Sequence, residues 1–241
     1  MLIPPPRADI TSLIAAARAL GRTVLSEPES KAFLHALGIP VPAGCVVQTA
    51  ADAAKIAEAV GFPVVVKAVS HVLTHKTDAG GIVFPIETAS AAVAACHLIA
   101  ERVRRTRPDI VLDGFLVEAF QPSNLEWILS LRMDPHYGPV VMFGLGGIFV
   151  ELLGHVSFRL APLNGNDIDG MLAENLVARA LSCIRGNGPA DREGLKAAIG
   201  ALSDLGARND IAAAISEIEI NPLTVTERGV LALDALIHLR P

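Results

Sequence analysis

Aromatic residues are scarce in this chain: one tryptophan, one tyrosine and eight phenylalanines make up 4% of its 241 residues. So thin a supply gives no row of stacking platforms for single-stranded nucleic acid. A basic excess is missing as well, since 20 Lys and Arg stand against 25 Asp and Glu for a net charge of −5. A general nucleic-acid binder would show a basic face, so no nucleic-acid partner is expected. Cysteine is limited to Cys45, Cys96 and Cys183, far apart and without a CxxC pair. That excludes a disulfide framework and gives no zinc or dithiol redox spacing, which fits a reducing cytoplasm. The longest apolar stretch, Val140 to Leu153, is interrupted by Gly144, Gly146, Gly147 and Glu151 and is too short to span a bilayer. The opening MLIPPPRADITSLIAAARALG has prolines where a secretory signal carries its basic region, so neither export nor a membrane association is expected.

What the chain has in quantity is aliphatic core, 51% hydrophobic residues in all, enough for one large domain or two linked lobes. Residues 1–25 read as a proline-rich arm and a helix from about Ile10, and residues 26–112 as a first α/β lobe. In that lobe Ser26 is placed to cap a helix carrying Glu27, Pro28 and Glu29, which ends at Gly38. Helices are predicted over Ala50–Val60 and Ala89–Arg105, with strands at Cys45–Gln48, from Val64, and at Gly81–Ile86. Residues 113–241 form a second, sheet-richer lobe opened by FLVEAF and LEWILSLRM. Its helices are predicted over 167–173, 175–184 and 191–205, and its closing strands over 216–220 and 230–237.

Two segments carry chemistry. In VVVKAVSHVLTHKTDAGGIVF, Lys67 lies within a β-branched run that reads as buried on both faces, where an ammonium group is costly unless an anion meets it. The loop that follows ends in Gly80 and Gly81, whose freedom lets backbone N–H groups approach a ligand. Strand, lysine, glycine loop and strand suggest a clamp on a nucleotide triphosphate; the alternative is a snorkelling lysine beside an ordinary turn. In SEIEINPLTVTERGVLALDALI, Glu219 and Asn221 share one strand face, and a returning hairpin strand brings the acid Asp234 toward Asn221. Oxygen donors of this kind suit Mg²⁺. No GxxxxGK[ST] occurs, so a P-loop fold is disfavoured, and GLGGIF at Gly144 reads as a tight turn close to the ligand.

These segments resemble the ATP-grasp domain of the nucleoside-diphosphate-forming acyl-CoA synthetases, the family of ADP-forming acetyl-CoA synthetase. The resemblance runs from LSEPESKAFLHALGIPVP through GFPVVVKAVS, HKTDAGGI, VEAF, RMDPHYGPVVMFGLGGIFVELL, SFRLAPL and IRGNGPADREGL to EIEINPLTVTERGVLALDALI, nearly the whole chain. It implies an α/β (α+β) ATP-grasp fold whose two lobes hold ATP or ADP with Mg²⁺. The implied role is that of a β subunit in a cytoplasmic hetero-oligomer. A CoA-binding α subunit, a separate chain, carries phosphate to it on a histidine. By the same resemblance Lys67, with help from Lys76, Gly80 and Gly81, takes the phosphates. Glu118 stands at the hinge beside adenine, Glu126 reaches the ribose, and Arg159 and Arg185 contact phosphate. Glu219, Asn221 and Asp234 take the metal. His75 occupies the HKTD position, where the family carries a second phosphate-accepting histidine. Departures fall near the ribose side, where Trp127 and Leu129 replace small residues, and at His155, where an aspartate is common. Two other readings stay open at this point: a free-standing ATP-grasp ligase, and a noncatalytic nucleotide-binding module that regulates a partner.

Overall fold

The computed structural model of the protein describes residues 9–73, 76–122, 125–147, 155–174, 181 and 190–240. In chain order the elements begin with α1 (Ile10–Ala19), β1 (Val24–Leu25), α2 (Glu27–Ala36), β2 (Gly44–Val47), α3 (Ala50–Val60) and β3 (Val64–Val69). Next come β4 (Ile82–Ile86), α4 (Ala89–Thr106), β5 (Gly114–Ala119), β6 (Trp127–Asp134), β7 (Gly138–Leu145) and β8 (Val156–Leu160). The remainder is α5 (Gly165–Ala173), α6 (Arg192–Gly206), α7 (Asn209–Ala214), β9 (Ile215–Thr226), β10 (Gly229–Ala232) and β11 (Ala235–Leu239). The chain divides into two compact units. Ser26–Ala32 and Pro42–Pro122 belong to the first; Ala8–Leu25, Phe33–Val41 and Ser123–Pro241 make the second.

The first unit is built on an antiparallel sheet in the order β2-β5-β3-β4. Its helices start where side chains take up their orphan N–H groups: Thr49 accepts from the Asp52 N–H at 3.1 Å to open α3, and Thr88 accepts from the Ala91 N–H at 3.2 Å to open α4. Gly61, at φ +91°, ends α3 in a conformation that a side chain would resist. Both helices bury small faces, Ala53 and Ala57 on one and Ala92, Ala95 and Cys96 on the other, against the sheet's Val64, Val66, Ala68 and Val117. Every residue of β3 is buried, so the run that reads as a two-faced strand is one, and Lys67 is enclosed with it. At the rim, β4 carries Pro85, and its exposed Phe84 stacks on Phe120 at 5.3 Å.

The boundary expected after residue 112 is corrected at β5. That boundary puts this strand in the second lobe, yet it pairs with both β2 and β3, in the middle of the first unit's sheet. Alternation in FLVEAF tells that a strand exists; it does not tell which sheet receives it.

Among the described residues, the second unit's sheet runs β1-β11-β9-β6-β7-β8, with β10 also paired to β9. On β6, Trp127, Leu129 and Leu131 are wholly buried, and Trp127 stacks on Phe143 at 5.2 Å. Helix α6 covers β6 and β7 with Leu195, Ile199 and Leu202. The predicted final strand is in fact two, β10 and β11, with the interruption at Leu233 and Asp234. Strand β8 and helix α7 are additions to the predicted elements, and the helix predicted over 175–184 lies, apart from Leu181, outside the described residues. Among the described residues no helix is long and apolar enough to cross a membrane.

Candidate functional site

In the first unit, five charged side chains converge in a dry interior. Glu27 and Lys31 come from successive turns at the start of α2, Lys67 from β3, Lys76 from the loop before the glycines, and Glu118 from β5. Their relative exposures run only from 2% to 8%. Lys67 Nζ stands 2.8 Å from Glu27 Oε1 and 2.7 Å from Glu118 Oε1. Lys31 Nζ reaches Glu27 Oε1 at 2.8 Å and both oxygens of Glu118 at 2.7 Å, while Lys76 Nζ lies 3.2 Å from Glu27 Oε2. The anion that Lys67 requires is thus supplied in part by the chain itself, which the local run of residues around Lys67 does not announce. Charges this deep persist because they are mutually paired.

Burial works against the Glu27 carboxylate, but the ammonium groups of Lys31, Lys67 and Lys76 outweigh it and hold the carboxyl well below its usual range near 4.5. A carboxyl more acidic in the folded state than in the unfolded chain stabilises the fold above its unfolded pKa, and that contribution fades as the pH drops toward the folded one. Unfolding midpoints in denaturant are therefore expected to fall as the pH is lowered from about 5 to about 3. Glu27→Gln should flatten that decline while lowering stability at neutral pH. An equally steep acid decline in the variant would contradict the assignment.

The glycine loop works differently from the expectation. The Gly80 N–H donates to the Thr77 carbonyl at 3.0 Å and the Gly81 N–H to the Lys76 carbonyl at 2.7 Å, so the amides expected to turn toward a ligand are used inside the loop. What the pair contributes is shape: Gly80 has φ +68°, and the Gly81 carbonyl accepts from the Ala68 N–H at 2.7 Å, tying Lys76 back to the strand that bears Lys67. His75 and Arg185 lie outside the described residues. Glu118, placed beside adenine by the resemblance, has its carboxylate held by Lys31 and Lys67.

In the second unit, the hairpin brings the metal candidates together. The Asn221 N–H donates to the Asp234 carbonyl at 3.3 Å, and the Asn221 side-chain amide reaches Glu219 Oε1 at 3.5 Å. Asp234 Oδ1 accepts from the Ala235 N–H at 2.8 Å. All three side chains are half-buried. Two carboxylates and a carboxamide suit a hard cation that keeps water and phosphate in its other positions. Among the described residues there is no group of three or more His, Cys, Asp or Glu placed to hold a metal.

The turn after β7 joins this group. The Gly146 N–H donates to the Glu126 carbonyl at 2.8 Å, and the Gly147 N–H donates to Asn221 Oδ1 at 3.2 Å. Gly147 has φ +59°, and a Cβ there would run into the Glu126 carboxylate. The turn thus links the ribose candidate to a metal candidate. Gly147→Ala is expected to raise the Mg²⁺ concentration needed for nucleotide binding, read from Mg²⁺ titrations at fixed ADP, with little change in the helical signal. Arg159 is paired with Glu174 in the same unit, and the guanidinium holds that carboxyl below its usual range.

Two units, each an antiparallel sheet flanked by helices, with a buried lysine on a central strand of one and an acid–amide hairpin in the other, are the parts of an ATP-grasp protein. Consistent with that class, residues 16–239 match the ATP-grasp domain family. The chain is 38% identical to the β subunit of ADP-forming acetate–CoA ligase I of Pyrococcus furiosus over 232 residues, covering 96% of this chain and 98% of that one. It also resembles the acetyl-coenzyme A synthetase 1 of Ca. Korarchaeum cryptofilum in complex with coenzyme A and Ca-AMPCP. The TM-score is 0.91 at 37% identity, over 96% of this chain and all of the other. A further structure of that synthetase, with coenzyme A and Mg-AMPPCP and its phosphohistidine segment pointing towards the nucleotide binding site, gives a TM-score of 0.82 at 35% identity, with the same coverage. The chain belongs to the β-subunit family of the ADP-forming acetate–CoA ligases, which are acid–thiol ligases.

Lys31 and Glu27 are the residues that motif reading passed over. Glu27 and Lys31 have the i,i+4 spacing of a surface helix pair, and only the fold shows them buried.

Proposed function

We propose that this chain is the β subunit of an ADP-forming acyl-CoA synthetase. The enzyme interconverts acyl-CoA, ADP and phosphate with free acid, CoA and ATP. A CoA-binding α subunit, a separate chain in a cytoplasmic hetero-oligomer, brings the phosphoryl group on a histidine. The observation that carries this reading is the buried pair of lysines, Lys67 and Lys76, gathered on Glu27 in a chain that matches a β subunit over 96% of its length. Lys67 and Lys76 take the nucleotide phosphates, and Arg159 and Arg185 make further phosphate contacts. Glu118 marks the adenine side and Glu126 the ribose. Glu219, Asn221 and Asp234 hold Mg²⁺, which when bound neutralises charge on the phosphates and aligns them. Gly80 and Gly81 fix the loop that carries Lys76.

His75 is the phosphate acceptor of this subunit. Phosphoryl transfer to its neutral imidazole forms a P–N bond as the bond to the donor breaks. Transfer onward to ADP breaks P–N and forms a P–O bond on the terminal phosphate. Such transfers rest on in-line positioning and charge compensation, and the buried ammonium groups supply the second.

The test is incubation of the chain with γ-labelled ATP, with and without purified α subunit. Label on this chain that is lost in His75→Ala, and label passed to the α subunit when it is present, support the proposal. Nucleotide binding without transfer under either condition overturns it in favour of a regulatory module. Acyl phosphate formed without a partner overturns it in favour of a free-standing ligase.

A further inference from the structure

Lys31 and Lys67 compete for the same oxygens. Glu27 Oε1 meets both ammonium groups at 2.8 Å, and Glu118 Oε1 meets both at 2.7 Å, closing a ring of two lysines and two glutamates. Within that ring the two lysines differ in what else they can do. Lys31 projects from α2, takes both oxygens of Glu118, and has a side chain 4% exposed. Lys67 is on the strand that leads into the Lys76 loop and shares Oε1 of each glutamate with Lys31. If Lys67 turns its ammonium toward a phosphate, its hold on Glu27 and Glu118 weakens, and both carboxylates stay buried. A buried carboxylate left without a cation is strongly destabilising, so the turn is feasible only if another cation remains on both. Lys31 is placed to be that cation.

We propose that Lys31 is a positioning residue for nucleotide binding: it holds the charge of Glu27 and Glu118 so that Lys67 is released to the phosphates. The inference rests on the nucleotide-binding reading given above and adds a residue that does not itself touch the ligand. It follows that Lys31→Met, although remote from the phosphates, makes Lys67 the chief counter-ion of two buried carboxylates and weakens its grip on the nucleotide. Removing one of those carboxylates as well should give part of that grip back. A side chain that merely fills space would behave otherwise, since a second substitution beside it would only add damage.

The experiment is calorimetric titration of Mg-ADP into the full chain, as wild type, Lys31→Met, and the double variant Lys31→Met/Glu27→Gln, with thermal unfolding of each in the absence of nucleotide. The expected result is a Kd raised at least about tenfold in Lys31→Met and recovered at least about threefold from that value in the double variant, whatever the order of their unfolding temperatures. Should Lys31→Met fail to fold, the double variant decides, and a Kd within about tenfold of wild type supports the inference. A folded Lys31→Met with wild-type affinity, or a double variant that binds more weakly than the single, overturns it. Wild type that binds no Mg-ADP overturns the nucleotide reading and this inference together, whereas wild-type binding that Lys31→Met leaves unchanged overturns this inference alone.

Discussion

Lys67→Ala is expected to remove most of the affinity for Mg-ADP, by roughly 30-fold to a few thousandfold, the range for losing one partner of a buried, hydrogen-bonded charge pair of about 2–5 kcal/mol. The size follows from where the ammonium is held. It is 6% exposed on a strand with every residue buried, so water screens its attraction to phosphate weakly. The fold should survive, because Lys31 still faces Glu27 and Glu118 and Lys76 still faces Glu27. Calorimetry gives the affinity and circular dichroism checks the fold. Unchanged binding by a folded variant would remove the lysine from the nucleotide site.

Trp127→Ala should have the largest effect on stability. The indole is wholly buried, lies parallel to Phe143 with 16° between the rings, and belongs to a strand paired on both sides, to β7 and to β9. Pairing on both sides limits how far the strand can close on the space left, so the cost is expected to be about 3–5 kcal/mol. Among the described residues its ring N–H donates to nothing, so Trp127→Phe gives up no hydrogen bond and should cost much less. Denaturant unfolding of the two variants tests this, and a Phe variant as damaged as the Ala variant would show that size alone is not the issue. The departure from the family's small residues at this strand is thus a matter of core packing: Trp127 faces the interior of the second unit.

What the sequence revealed and what it hid divide along a physical line. Helix α3 was legible to the residue because Thr49 and Gly61 mark its two ends with side-chain and backbone chemistry local to the chain. Strand β3 was legible because valine fills four of its six positions. The meeting of Asn221 with Asp234 was legible because a hairpin fixes its own register. The assignment of β5 to the first sheet was not, since partner choice depends on residues 44–47 and 64–69, far off in sequence. The charge ring was hidden for the same reason. Its members come from α2, β3 and β5, and a Glu–Lys pair four residues apart is usually found facing water. The engagement of the Gly80 and Gly81 amides within their own loop was also out of reach, because glycine content reports freedom and says nothing of where the donors point.

Pro85 on the outermost strand of the first sheet has a bearing on solubility. An unpaired strand rim is a template on which another molecule can lay down a further strand, and fibrils grow by that addition. With no N–H to offer, this residue interrupts the ladder such an addition would need, beside a phenylalanine that would otherwise favour sticking. That one imino acid leaves this apolar margin a donor short for any strand laid along it.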